Sequence, residues 1–378
     1  MENKKRTIVI FSNSYLPGYK YGGPLRTISN LCDCLGEEYQ FRIIANDRDY
    51  GETTPYSNIK YDEPNYVGNA EVWYLKPGGF TFSAIQKLTK DADLIYCCGP
   101  YDNYAYKSMI LKQLNRMKQP LIIASMGVFS EGAIRIKRFK KKLFLAVCKF
   151  FGLFKKVLWS ATSELEKKDI QRYVGKKATC YIAEDLPRKI SPSVQKEKRT
   201  VLHGVFLSRI CQMKNLLYAI ETLKGVKSPL VFDIYGIIED AEYWGRCQNA
   251  LQGLPSNITW AYKGAVVPER VVETFSAYDF FLFPTLGENY GHVIYEALAG
   301  GCMPIISDQT PWLDLQDEQV GYVLPLKEEQ AFVTAIEELC ALPNEELASR
   351  QNKAHQYAVD KYNQSVENTG YREVFSVE

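Results

Sequence analysis

The stretch Phe281–Asp308, FLFPTLGENYGHVIYEALAGGCMPIISD, decides the fold. An apolar run ends at Pro284, a loop follows as Gly287-Glu288-Asn289-Tyr290-Gly291, and an apolar helical pattern opens at His292. Gly300-Gly301 close that helix and Pro304 enters the next apolar run, the ordinary stop signals of a strand–helix–strand unit. The same alternation extends in both directions. Upstream, strands are predicted over Thr7–Ser12, Phe41–Ala45, Glu71–Leu75, Leu94–Cys98, Leu121–Ala124 and Val157–Ala161. A second series covers Thr200–Leu207, Leu230–Tyr235, Ile258–Tyr262, Phe280–Pro284 and Met303–Ser307. Helical patterns between them include Pro24–Leu35, Thr81–Leu88, Leu216–Thr222, Pro268–Ser276, His292–Leu298 and Glu329–Ala341. Several strands are continuous Val/Ile/Leu/Phe runs, as parallel strands covered on both faces require. The expected fold class is therefore α/β, with doubly wound, Rossmann-like domains.

The polar stretch Arg188–Arg199 has no apolar periodicity and splits the chain into similar halves. The expected domains are 1–188, a linker at 189–199, and 200–355. The polar helical tail 356–378 is expected to pack back on the first domain. Two such domains on a short linker make a cleft, and ligands bind beyond the C-terminal strand ends.

The chain has 378 residues, 46 Lys+Arg against 44 Asp+Glu, 46% hydrophobic and 24% charged residues. That composition excludes a disordered, fibrous or small disulfide-stapled protein, and the balanced charge argues against nucleic acid as a partner. No run approaches the ~18 apolar residues of a membrane span, and the apolar run in MENKKRTIVIF is too short for a signal peptide. A cytoplasmic protein is expected. Ten cysteines are scattered, with Cys97, Cys98, Cys211, Cys302 and Cys340 in or beside apolar runs, as reduced buried thiols are. Cys32-Asp33-Cys34 lacks a second pair at zinc spacing and there are three histidines, so no structural zinc is expected. Asp47-Arg48-Asp49 and Asp91-Ala92-Asp93 read as incidental triplets, and no metal site is expected.

The loop at 287–291 sets several backbone N–H groups and the positive end of a helix dipole at a strand end, a site suited to phosphate. Glu288 precedes the helix and Glu296 lies inside it. Two readings fit these carboxylates: acceptors for the hydroxyls of a polyol ligand, or a helix cap and a solvated side chain. Two further strand–loop–helix segments stand out. One is Val205–Leu216, VFLSRICQMKNL, with Arg209 and Lys214; the other is Ser12–Thr27, SNSYLPGYKYGGPLRT, in which Gly22-Gly23 and Pro24 suit a tight turn into a helix.

Glu288 and Glu296, spaced E-x7-E within GENYGHVIYEALAGG, resemble the donor-sugar signature of retaining glycosyltransferases of family 4, which have the GT-B fold. The resemblance covers nearly the whole chain, with its specific motifs mostly in the second half. It implies two Rossmann-like domains facing a cleft and a nucleoside-diphosphate sugar as co-substrate, with no cofactor or metal. Glu288 would bind hydroxyls of the donor sugar and Glu296 the ribose. The backbone of Asn289, Tyr290 and Gly291 would meet sugar and diphosphate. Arg209 and Lys214 would grip the diphosphate, where fixed cations stabilise the charge that develops on the leaving group. Gly22 and Gly23 would face the donor phosphates. In many relatives the loop after Leu121–Ala124 carries a His; here it reads Ser125-Met126-Gly127. Methionine cannot shuttle a proton, so Ser125, Ser130 and Glu131 join Met126 as acceptor-side candidates.

Between Glu131 and Glu164 there is no acidic residue but nine basic ones, Arg135–Lys142 alone holding six of them. Leu143, Val147, Phe150, Phe151, Phe154 and Leu158 form a helical stripe, with Lys141, Lys142, Lys149 and Lys156 away from it. A helix of this kind over 135–159 can lie on an anionic membrane surface; a core-packing helix with solvated lysines fits the same stripe. With the resemblance, the expectation is a retaining, metal-independent transferase acting on a saccharide or lipid-linked acceptor in polysaccharide, lipopolysaccharide or capsule assembly, peripheral on the inner face of the cell membrane. The alternatives are a non-catalytic sugar-nucleotide-binding partner in such an assembly and, with less support, a GT-B sugar-nucleotide epimerase.

Overall fold

A computed structural model describes residues 4–130, 133–134, 138–190 and 200–378. Two compact units divide the chain, Met1–Lys189 with Gln364–Glu378, and Ile190–Asn363. Most of the stretch expected as a linker lies outside the described residues.

The first unit is built on β1 (Arg6–Phe11), α1 (Gly23–Leu35), β2 (Tyr39–Asn46), β3 (Asn65–Val67), β4 (Ala70–Leu75), α2 (Phe82–Leu88), β5 (Leu94–Cys98), α3 (Asn103–Gln113), β6 (Leu121–Ala124), α4 (Arg138–Phe150), β7 (Leu158–Ala161), α5 (Glu164–Tyr173) and β8 (Cys180–Ile182). Its eight strands run in the order β3-β4-β2-β1-β5-β6-β7-β8. All pairs are parallel except β3 with β4. Odd and even positions of the central strands feed separate cores on the two faces: Val9, Phe11 and Ile95 in one, Ile8, Ile10 and Leu94 in the other. That is why these strands read as unbroken apolar runs rather than alternations.

The second unit contains β9 (Leu202–Leu207), α6 (Leu216–Lys224), β10 (Leu230–Tyr235), α7 (Ala241–Leu251), β11 (Ile258–Gly264), α8 (Val271–Ser276), β12 (Phe280–Phe283), α9 (His292–Ala299), β13 (Met303–Ser307), β14 (Tyr322–Leu324), α10 (Glu329–Ala341) and α11 (Asn344–Glu367). The sheet is parallel, in the order β11-β10-β9-β12-β13-β14. All four residues of β12 are fully buried. The tail begins its helix at Asn344, twelve residues before the expected start. Leu347, Ala354 and Ala358 of α11 pack in the second unit's core, while α12 (Tyr371–Ser376) sends Tyr371, Val374 and Phe375 into a core of the first. Arg372 clasps Glu38 through two nitrogens at 2.9 and 2.7 Å. Each large buried side chain there contributes roughly 1.5–3 kcal/mol.

All ten cysteines are free; Cys97, Cys98 and Cys302 are buried, Cys211 and Cys340 half-buried. The Asp-x-Asp triplets are engaged by the protein itself. Asp91 pairs with Arg42 at 2.7 Å and Asp93 accepts the N–H of Thr7 at 2.7 Å. Among the described residues no cluster of His, Cys, Asp and Glu is placed to hold a metal ion. In the first unit Asp185 is buried and accepts the Thr27 hydroxyl at 2.9 Å. Burial, with Glu166 and Glu184 nearby, pushes its carboxyl up to about 7.

Candidate functional site

The strand order of the second unit makes β9 and β12 neighbours, with β10 and β11 outward of β9, and β13 and β14 outward of β12. At such a switch point the loops leaving the C-terminal strand ends diverge and open a crevice. The two loops there are 208–215, carrying Arg209 and Lys214, and 284–291, carrying Glu288 to Gly291.

Backbone and side-chain hydrogen bonds tie the two loops together. Leu286 N–H donates to Met213 O at 2.9 Å, the Thr285 hydroxyl to the same oxygen at 3.1 Å, and Asn215 Nδ2 to Pro284 O at 2.8 Å. Asn215 adopts the left-handed conformation, φ 59°, between a short 3-10 turn and α6, a conformation that asparagine tolerates. At the centre the Lys214 ammonium donates to Glu288 Oε1, and both side chains are only 12% exposed. Thr285 donates to the same carboxylate at 3.3 Å, and the ring of Phe283 lies 5.8 Å below the ammonium. Arg209 stands further out and is paired with Glu239 at 2.6 Å, each about half exposed. Both expected diphosphate cations are thus held by carboxylates, and only Lys214 is held by Glu288.

Glu296, one turn into α9, is buried, so the solvated-helix reading of this residue is wrong. Gly291 is the N-cap of α9 with φ 81°, where a side chain is strained. Tyr290 is buried as an anchor: its carbonyl accepts the Trp312 indole N–H at 2.6 Å, and the rings pack edge to face at 5.5 Å. That anchor fixes the turn Asn289–Gly291 that leads into the N-terminus of α9.

Two residues outside the motif reading shape this site. Trp312 is one; no local signal in the sequence marks it. Gly236 is the other, with φ 148°, and a Cβ there would stand 1.7 Å from the Ser208 carbonyl oxygen. The chain after β10 therefore presses directly on the residue before Arg209. A glycine immediately following an apolar strand is its one trace in the sequence, and that trace does not say which segment it meets.

In the first unit the winding reverses between β1 and β5, and the Gly22-Gly23 loop leaves β1. Gly22 is the N-cap of α1 with φ 73°, and a Cβ on Gly23 would meet open space. Asp49 is the organiser of this loop: its Oδ2 accepts the N–H groups of Tyr19 and Lys20 at 2.7 and 2.9 Å, and its Oδ1 the Ser14 hydroxyl at 3.2 Å. Asn13 bridges to Asp102 after β5 at 2.6 Å. Burial lifts the Asp102 carboxyl above its ordinary range, against the hydrogen bonds from Asn13 and Tyr104.

The acceptor-side candidates are placed differently from one another. Ser125 is fully buried and donates to the Glu166 carboxylate, which also accepts Gly127 N–H and Thr162 N–H, both at 2.6 Å. Ser125 is committed to holding the loop. Met126, at φ 51°, packs against the first unit's core. Ser130 is exposed, and its oxygen accepts the Ala133 N–H at 3.3 Å. Glu131 lies outside the described residues. Glu166 is the residue the sequence reading missed. Ser163-x-x-Glu166 is a capping-box pattern, and Ser163 does cap α5, but the glutamate side chain turns to the 125–127 loop instead of back to the cap.

Residues 188–357 match the family model described as glycosyl transferases group 1. No curated protein matches the chain. Among solved structures, sucrose-phosphate synthase from Thermosynechococcus elongatus aligns at TM-score 0.64 and 14% identity, over 99% of this chain and 100% of that one. WaaG, described as a glycosyltransferase involved in lipopolysaccharide biosynthesis, aligns at 0.64 and 14%, over 95% and 97%. Anabaena Alr3699/HepE in complex with UDP-glucose aligns at 0.64 and 14%, over 96% and 98%. At these identities the likeness is one of fold. The chain has the GT-B fold, and its second unit carries the match to the group 1 glycosyl transferases.

Proposed function

We propose that the chain is a retaining, metal-independent glycosyltransferase that moves a sugar from a nucleoside diphosphate to a saccharide or lipid-linked acceptor of the kind used in surface polysaccharide assembly. The observation that carries this reading is the half-sheltered Lys214–Glu288 pair at the β9/β12 switch point, within the segment that matches the group 1 glycosyl transferases.

The donor diphosphate competes with two carboxylates. It takes Arg209 from Glu239 and Lys214 from Glu288, and the N–H groups of Asn289–Gly291 complete its cradle. Glu288, released from the ammonium, then accepts hydroxyl protons of the sugar, and Glu296 holds the ribose. The bond from the anomeric carbon to the diphosphate oxygen breaks as the acceptor hydroxyl attacks from the same face. The departing phosphate oxygen takes the acceptor's proton, so configuration is retained and no protein base is required. Arg209 and Lys214 stabilise the leaving charge. The Gly22-Gly23 loop of the first unit and the exposed Ser130 are assigned to phosphate and acceptor respectively; Ser125 acts by positioning its loop. The involvement of WaaG in lipopolysaccharide biosynthesis and the UDP-glucose bound by HepE support the substrate class.

A panel of UDP-, GDP- and ADP-sugars tests the proposal. One donor class is expected to raise the melting temperature, since a ligand of the native state stabilises it, and to release its nucleoside diphosphate when a membrane extract supplies acceptor. Stabilisation without release points instead to a non-catalytic sugar-nucleotide-binding partner. Interconversion of the donor without acceptor points to an epimerase.

A further inference from the structure

The helix α4 presents its apolar side to solvent. Its buried positions are Leu145 and Cys148, and Lys141 turns inward, donating to Ala133 O at 2.7 Å. On the opposite face Phe139, Leu143, Val147, Phe150 and the following Phe151 are 91, 67, 44, 82 and 62% exposed. The stripe read from the sequence is therefore corrected at both ends. Phe139 joins it, whereas Phe154 and Leu158 pack against the core of the first unit. Arg138, Lys140, Lys142 and Lys149 border it, all exposed.

Beside the C-terminal end of α4 opens a cavity of about 560 Å³ whose lining includes five lysines, Lys112, Lys149, Lys155, Lys156 and Lys177. Lys112 is spent on the carbonyls of Lys118 and Gln119 at 2.9 and 2.6 Å, and Lys156 on Asn115 at 2.7 Å. Partial burial, with Lys156 close by, lowers the pKa of Lys112. Lys149, Lys155 and Lys177 make no hydrogen bond or ion pair with the described residues and are exposed. The one acidic residue of the lining is Glu378.

We propose that α4 and this cavity form a docking surface for an anionic phospholipid bilayer. Phe139, Leu143, Val147, Phe150 and Phe151 enter the acyl boundary, and Lys149, Lys155 and Lys177 meet headgroup phosphates. Charge complementarity selects this occupant. Residues 138–157 contain seven basic residues and no acidic one, so a twofold contact with a second copy would set like charges against each other, whereas an anionic leaflet attracts them. The proposal stands on this surface alone and not on the donor site.

The test is co-sedimentation of the full chain with vesicles of phosphatidylcholine, alone or with about one third phosphatidylglycerol. Binding is expected with phosphatidylglycerol only and is expected to weaken as salt screens the charges. F150S/F151S is expected to bind about tenfold or more weakly, since each phenylalanine loses an apolar burial site. K149E/K155E/K177E is expected to bind at least about a hundredfold more weakly, at roughly 1 kcal/mol for each lysine charge lost near the surface, with the added carboxylates repelled by the leaflet. All five substituted positions are exposed, and unchanged melting temperature and unchanged stabilisation by a sugar nucleotide certify folded variants. Equal binding to both vesicles, no binding to either, wild-type affinity in both variants, or binding of inorganic phosphate without vesicles overturns the proposal. So does a concentration-dependent dimer that the F150S/F151S change abolishes.

Discussion

Glu288→Ala is expected to lower sugar transfer by at least about a thousandfold, the scale of removing a group that acts on the transition state, while nucleoside diphosphate binds as well as before or better. The split follows from the ion pair. In the free protein Lys214 is held by Glu288 with both side chains 12% exposed, so the diphosphate must displace a carboxylate to reach the ammonium. Removing that carboxylate removes the competitor but also the acceptor for the sugar hydroxyls. Lys214→Ala is expected to lose both nucleotide binding and transfer. It leaves Glu288 next to an incoming dianion with nothing between them. Because the pair is sheltered but not fully buried, either truncation is expected to cost on the order of 1–3 kcal/mol, between the values for exposed and buried pairs. Titration calorimetry with the nucleoside diphosphate, beside turnover, separates the two variants. Equal loss of nucleotide binding in both, or normal turnover in Glu288→Ala, removes the assignment.

Gly236→Ala is expected to damage the second unit more than most core truncations of its size. The added Cβ would lie 1.7 Å from the Ser208 carbonyl oxygen, at φ 148°, so backbone rather than a flexible side chain must move. Strain of this kind costs about 3 kcal/mol or more. For a unit of this size that is a fall in melting temperature of roughly 10 °C. The displaced segment is the start of the Arg209 loop, so nucleotide affinity should fall with stability. Gly245→Ala in α7 is the matched control. A Cβ there meets nothing within 4 Å, and alanine favours helix by up to about 1 kcal/mol over glycine, so that variant should be as stable as the parent or slightly more so. A Gly236→Ala protein with parental melting temperature and nucleotide affinity would contradict this account of the loop.

The α/β alternation was legible because strands buried on both faces are written as continuous apolar runs. Leu94–Cys98, Leu121–Ala124, Leu230–Tyr235 and Met303–Ser307 have the bounds read from the sequence. The short edge strands β3, β8 and β14 were not, because three residues at a sheet edge carry no period to detect. Helices α3 and α5 were also missed. In α3 apolar residues are spread around the axis, and in α5 the stripe is reduced to Glu166 and Ile170. At the site, spacing left Glu288 and Glu296 between a ligand-binding and a structural reading and the family resemblance selected the first, but neither could foresee that Lys214 would be paired with Glu288, since that contact joins residues 74 positions apart. Nor could it locate Trp312, Gly236 or Glu166, whose roles come from long-range packing. The stripe on α4 was visible as a period, but its direction was decided by Leu145 and Cys148 taking the core side.

The central claim is that the β9 and β12 loops cradle a diphosphate by exchanging carboxylates for phosphate oxygens. The most direct measurement is a crystal structure of the chain with the nucleoside diphosphate of the donor class selected by the panel. The account predicts phosphate oxygens on Arg209, Lys214 and the N–H groups of Asn289–Gly291, with the Lys214–Glu288 pair broken. A nucleotide bound elsewhere, or bound at these loops with that pair intact, would contradict it.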